Sequence, residues 1–229
     1  MNRKLSAWRS PKRKLTDFSY DIIDGMAVVK ATYELEQVGA LLSIDYTILS
    51  TGVVVVDQKL SADTSDKERP QLLRYGMNLQ MPGEYDQITY YGKGPHENYI
   101  DRNNAARLGV YSSTRDAEYH AYVRPQDSGN KTQVRWWKVT NAAGKGLEFR
   151  ATTGMECETL PYSTADLDDG WNKGQSHSGD LIADGKTHVT LALRSMGIGC
   201  VNSWGAWPRK EYQLPFSDYD FQFTITPVK

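Results

Sequence analysis

The sequence predicts an all-β chain, an antiparallel sandwich in one domain spanning residues 1–229. Three observations lead there. Residues 40–50 alternate, with Leu42, Ile44, Tyr46 and Ile48 on one face and Ser43, Asp45 and Thr47 on the other. Turn pairs recur at short intervals: Asp24-Gly25 and Thr51-Gly52 each sit between β-forming runs. Helical periodicity is almost absent.

Taken in order, residues 17–23 form a hairpin with 26–35, which read Met-Ala-Val-Val-Lys-Ala-Thr-Tyr-Glu-Leu. The 40–50 strand turns at Gly52 into Val53–Val56. Further strands are predicted at 71–80, 86–92, 108–113, 132–140, 146–152, 188–196 and 219–226. Adjacent Trp136 and Trp137 must face opposite sides of their strand. One stretch within this body reads as a short helix, with Ser163 as N-cap, Asp166 three residues on and Gly170 as the stop. Residues 170–185 are polar and glycine-bearing, a long surface loop. No internal repeat and no linker divides the chain.

Composition excludes some roles. Lysine plus arginine number 27 against 28 aspartate plus glutamate, a formal charge of −1, so nothing calls for nucleic acid. The one basic cluster, Arg9, Lys12, Arg13 and Lys14, reads as a solvated arm. No run approaches the roughly 18 apolar residues that span a bilayer, and no secretory-signal pattern is seen. Cys157 and Cys200 have no metal-type spacing and are read as two buried thiols.

After the alternation of Val189, Leu191 and Leu193, the segment Arg194–Trp207 gives up periodicity for glycine and aromatics. Gly197, Gly199 and Gly205 permit positive φ or close approach to another surface. Trp204, between Ser203 and Gly205, has two readings: an indole closing the core, or a flat face for the C–H side of a sugar ring.

Residues 90–102, Tyr-Tyr-Gly-Lys-Gly-Pro-His-Glu-Asn-Tyr-Ile-Asp-Arg, resemble the Gly-x-Gly-Pro-x-Glu-Asn-Tyr-x-Asp-Arg signature of the C-terminal domain of glycoside hydrolase family 2 β-galactosidases, with Ile100 where the family has Pro. Tyr122 to Trp136 and Met196 to Gly205 are similar to two later motifs of that domain, in the same order. Around Trp204, Cys200-Val201-Asn202 replaces a Gly-Gly-x-Asp pattern, while Ser203-Trp204 is intact.

The resemblance implies a large twisted supersandwich of the galactose-mutarotase-like type. It implies that Trp204 stacks on the galactosyl group in a pocket whose two catalytic carboxylates lie on a separate barrel domain. No catalytic residue and no cofactor are then expected here, Mg and Na being held by other domains of the parent, and the partners are a β-galactoside and the barrel. The parent's compartment, cytoplasmic or periplasmic, stays open. The first residues resemble the helix and strand just downstream of the family's usual start, as in a truncated terminal domain.

Other polar groups carry competing readings. His96-Glu97 with Asp101-Arg102 supply a base and an orienting partner, or tie down the turn that Gly92, Gly94 and Pro95 impose. Asp166, Asp168 and Asp169 lack an EF-hand pattern, and His177 and His188 lack a third ligand, so no metal site is assigned. Asn130-Lys-Thr matches a glycosylation acceptor. Arg124 and Arg135 either meet a sugar or hold loops. Trp204 is the substrate-binding candidate, with Ser203, Asn202, His96 and Glu97 as minor or structural ones. The function expected is that of an accessory domain of a retaining β-galactosidase, inactive alone. The alternatives are a free-standing sugar-binding module and a mutarotase-like enzyme built on His96 and Glu97.

Overall fold

Hairpins in sequence order build the first half of the chain. In the computed structural model, which describes residues 2–9, 11–65, 69, 71–168, 177–199 and 206–229, β1 (Lys14–Ile23), β2 (Met26–Leu35), β3 (Ala40–Ile48) and β4 (Val54–Ala62) pair successively and antiparallel. Asp24 and Gly25 both take positive φ, 51° and 77°, the backbone of a two-residue turn whose twist matches its strands. At the β3–β4 hairpin Leu49 N donates to Val53 O at 2.9 Å.

The second half folds back on the first. Next come β5 (Arg74–Pro82), β6 (Gln87–Gly94), β7 (Arg107–Thr114), β8 (Lys131–Thr140), β9 (Gly146–Leu160), β10 (Lys186–Ser195) and β11 (Tyr219–Val228). The main path runs β1-β2-β3-β4-β11-β9-β8-β6-β7. One edge of the 15-residue β9 belongs to β8. Its other edge is shared: Gly146–Arg150 pair with β11, and Glu156–Leu160 pair with β10, which carries β5 outside it. The sheet therefore splits at β9 into two arms, and Gly154, at φ 77°, lies between the two pairing segments.

The core fills the space between the arms. Val189 and Leu191 of β10 belong to one buried cluster with Phe221 and Phe223 of β11 and Val56 of β4. Tyr75 of β5 meets Tyr219 of β11 with ring centroids 5.5 Å apart. Trp137 is fully buried and donates from Nε1 to Thr159 Oγ1 at 2.9 Å. Its neighbour Trp136 faces the other way, half-buried, with Lys138 Nζ 5.5 Å from its ring centroid.

The expected fold class is the one observed: all-β, a large antiparallel sandwich. The predicted helix forms as α3 (Thr164–Leu167). Ser163 Oγ accepts from Asp166 N at 3.2 Å, and Asp166 Oδ2 accepts from Ser163 N at 2.8 Å, a reciprocal capping box. The helix of the first residues, implied by the resemblance, is α1 (Asn2–Arg9); it buries Leu5 and sets Trp8 5.9 Å from Phe216. Not anticipated is the single turn α2 (Arg115–Glu118), capped by Thr114.

Two expectations need correction, and one motif match is excluded. The basic cluster is not simply a solvated arm, since Lys14 opens β1 and pairs with Glu34 at 3.1 Å while Arg9 pairs with Asp168 at 3.1 Å. β9 continues to Leu160, past the predicted end at 152, because Glu156 and Glu158 alternate with core-facing Met155 and Cys157. Asn130 is buried, its amide donating to Asn98 O at 3.0 Å, which is incompatible with a glycan. Cys157 is buried with a free thiol that burial pushes up in pKa. Cys200, Trp171 and residues 170–176 of the polar loop lie outside the described residues.

Candidate functional site

The turn that follows β6 is organised by Asn98, which is fully buried. Its Nδ2 donates to the carbonyls of Lys93 at 2.9 Å and His96 at 3.1 Å. Its Oδ1 accepts from Thr132 N at 3.0 Å and Thr132 Oγ1 at 2.5 Å. Main-chain Asn98 N donates to Asn130 O at 2.7 Å. A short side chain with two donors and an acceptor thus replaces the ladder bonds that the turn forfeits.

Glu97 ties this turn to the loop before β8. One carboxylate oxygen accepts from Arg102 and from the Tyr122 hydroxyl, and the other accepts from Gly129 N at 2.8 Å. Arg102 also donates to the Tyr122 hydroxyl at 2.7 Å and lies 4.9 Å from the Tyr99 ring centroid. His96 is exposed at the crest. Glu97 is therefore committed to bracing, and the His96–Glu97 pair shows no cleft between its members.

A second, deeper group centres on Arg74 of β5. Its Nη2 donates to both Asp127 oxygens at 2.9 and 3.0 Å, its Nη1 to Glu158 Oε1 at 3.1 Å, and its Nε to Ser195 Oγ at 3.0 Å. Burial alone would lower the Arg74 pKa, but Asp127 and Glu158 outweigh it and hold the guanidinium charged. Burial pushes Glu158 up to about 7 against the pull of Arg74, and Asp127 adds to the rise. Glu156 beside it is also raised by burial, offset in part by Ser195. Tyr99 is buried next to this group, and burial with the charges of Asp127 and Glu158 raises its hydroxyl.

The third tie is to the glycine-rich segment after β10. Asp101 Oδ2 accepts from Gly199 N at 2.6 Å, and Gly197 N donates to Tyr212 O at 2.7 Å. A Cβ on Gly197 would stand 2.6 Å from the Asp101 carboxylate and 2.9 Å from Tyr212 Cβ. Gly197 is thus required by close approach and not by a left-handed backbone. Asp101 Oδ1 is buried without a hydrogen-bond partner among the described residues.

These contacts bring together three segments that lie far apart in the chain: 92–102, 119–130 and 194–199. Trp204, Ser203 and Asn202, the residues on which the sugar-stacking expectation rests, lie outside the described residues. Trp207, beyond them, is half-buried against the core. Arg124 is exposed, and Arg135 lies over Gly154.

Alongside runs a cleft of about 660 Å³ on the outer face of β5, β10 and β9, lined in part by Asn78, Gln80, Glu158, Tyr162, His188 and Thr190. Asp184 meets His188 Nε2 at 3.1 Å. No group of three or more His, Cys, Asp or Glu side chains among the described residues is placed to hold a metal ion. No helix among them is long and apolar enough to cross a membrane.

Sequence reasoning reached the 92–102 turn and the 194–207 loop but missed Arg74, Asp127 and Glu158. The available signal was the Glu156-Cys157-Glu158 alternation in a strand otherwise rich in apolar residues.

Comparison with known proteins gives the family. The family model described as "Beta galactosidase small chain" matches residues 2–225. A β-galactosidase of Priestia megaterium is 31% identical over 88% of this chain and 19% of its own length. One of Halalkalibacterium halodurans is 33% identical over 82% and 18%, and one of Lactobacillus delbrueckii subsp. bulgaricus 31% over 92% and 20%. The chain thus spans about one fifth of these relatives. Among solved structures, an α-galactosidase of family GH36 from Geobacillus stearothermophilus superposes with a TM-score of 0.48 at 12% identity, over 96% of this chain and 28% of that one. Matched by that family model over residues 2–225 and by relatives at 31–33% identity, the chain belongs to the β-galactosidase small-chain family.

Proposed function

We propose that this chain is the accessory domain of a retaining β-galactosidase, with Trp204 forming one wall of a galactoside site whose catalytic carboxylates lie on a separate barrel domain. The observation that supports it best is the tie from Asp101 to Gly199, which fixes the start of the Trp204 loop against a braced turn. An indole covering one sugar face contributes about 1–3 kcal/mol by removing apolar area from water. It binds and orients; the acid, base and nucleophile of the reaction belong to the barrel, as do any Mg²⁺ or Na⁺ ions. Trp204→Ala in the complete enzyme is expected to lower kcat/KM for a galactoside at least tenfold with an unchanged melting temperature. Unchanged kinetics would remove the proposal, and so would turnover of a chromogenic galactoside by this chain alone.

A second reading, a free-standing sugar-binding module, draws support from the cleft beside Glu158, where the side chains of Asn78, Gln80, Tyr162 and His188 could meet the hydroxyls of a small ligand. Titration of the isolated chain with galactose or lactose separates the two. Saturation at low millimolar sugar favours the module, because a single aromatic wall binds too weakly to be seen.

A further inference from the structure

The first four strands form a sheet with one polar and one apolar face, and the apolar face runs out of cover. On β2 the residues Ala27, Val29, Ala31 and Tyr33 share one side, and their partners on β3 are Ile48, Tyr46, Ile44 and Leu42. On β1 the partners are Ile22, Tyr20, Phe18 and Leu15. Leu15 holds this phase because the register shifts by one residue between Leu15 and Asp17, a bulge that keeps the apolar side continuous where simple alternation would turn it over.

Exposure on this face is greatest on the edge strand β1. Val56 on β4 is fully buried, Ile44 on β3 nearly so, while Phe18, Tyr20 and Ile22 on β1 are 55%, 77% and 68% exposed. The opposite side carries Asp17, Ser19 and Asp21, with Lys30 and Asp45 paired across β2 and β3 at 3.8 Å. This arm of the sheet is built for burial on one side and water on the other, and the described residues supply no cover for its outer end.

The geometry points to a docking surface for the rest of a β-galactosidase polypeptide: the apolar face of β1 and β2, centred on Tyr20, is covered by an apolar face of that polypeptide. The inference rests on the functional reading above and adds the face through which that association is made. Two observations choose this occupant. The relatives are about five times longer than this chain, so a large partner body exists in them for the face to meet. The three most exposed side chains present roughly 400 Å², the size of a typical functional patch. Together with Leu15 and the half-exposed residues of β2 and β3 on the same face, that is the scale of an interdomain contact.

The test compares this chain alone with the chain assembled with the catalytic portion of the β-galactosidase from its own source. Expected on assembly are at least tenfold slower hydrogen exchange in β1 and loss of Tyr20 reactivity toward an aqueous tyrosine-modifying reagent. Phe18→Lys with Tyr20→Lys is expected to weaken association at least thirtyfold while leaving the melting temperature of the isolated chain unchanged. Assembly with Tyr20 still reactive would overturn this inference and leave the functional reading standing. No assembly at all would overturn both. A concentration-dependent dimer of the isolated chain, dissolved by the same double variant and protecting Tyr20, would replace the proposed partner with a second copy.

Discussion

Asp101 Oδ2 accepts a hydrogen bond from Gly199 N at 2.6 Å, joining two segments 98 residues apart in sequence. One side chain on a turn thereby sets where the glycine-rich loop leaves β10. The loop can be accurate without being thick, because its first residues rest on a turn that Asn98 and Glu97 already hold.

Asp101→Ala should therefore act on ligand binding more than on folding. In the complete enzyme we expect the KM for galactosides to rise severalfold while the unfolding free energy falls by no more than about 1 kcal/mol, since one hydrogen bond near the surface contributes about that much. Steady-state kinetics alongside thermal unfolding checks it. Equal KM values would mean that the loop takes its path without Asp101.

Gly197→Ala should be more damaging than its size suggests. The added methyl meets the Asp101 carboxylate and Tyr212 at once, and a forced shift in a packed site costs about 1–3 kcal/mol. Urea unfolding should show that loss, and Gly179→Ala, where a Cβ meets open space, should show almost none.

Asn98 offers a comparison of two substitutions. Asn98→Ala removes four side-chain hydrogen bonds inside the protein and should cost about 2–4 kcal/mol. Asn98→Asp keeps the shape but points a carboxylate at the Lys93 and His96 carbonyls, so it should cost more than alanine at neutral pH. Its deficit should shrink on acidification as the carboxylate takes up a proton. The two denaturation curves, measured at pH 5 and pH 8, decide the order.

Arg74 balances Asp127 and Glu158 in a buried setting. Arg74→Met should destabilise by about 3–5 kcal/mol, the usual result of leaving buried charge without its partner. Adding Glu158→Gln to that variant should recover part of the loss, and a double-mutant cycle measures how much.

Glu158 also fixes a direction of pH dependence. Its folded pKa, about 7, lies above the unfolded value of about 4.3, so the folded chain is the better proton binder. The contribution of this group to stability is full below the unfolded value and is lost as pH rises through about 7. Relative to Glu158→Gln, the wild-type chain should lose stability between pH 4.5 and 7 and run parallel above. A gap that is constant with pH would show that folding leaves the Glu158 pKa unshifted.

Much of this was legible in the sequence, for identifiable reasons. Strands with one wet and one dry face, such as 26–35 and 40–50, announce themselves by alternation, and Asp24-Gly25 and Ser163…Asp166 state their local chemistry outright. The far half of β9 was hidden because both its faces are buried, one by core and one by the Arg74 group, so glutamates stand where a solvent face would put them. Arg74 itself looks like any surface arginine; only a partner 84 residues away makes it central. The branching at β9 left no mark at all, since which strand borrows an edge is decided by pairings between distant segments.

The shared edge of β9 has a consequence for how the chain is made. Strands β1 to β4 can zip together as they emerge from the ribosome, yet they have no attachment to β9 until Tyr219–Val228 arrives to stitch β4 on one side and Gly146–Arg150 on the other. A nascent chain stalled before that stitch holds two half-built pieces with their oily sides open, and there the need for chaperones should be greatest.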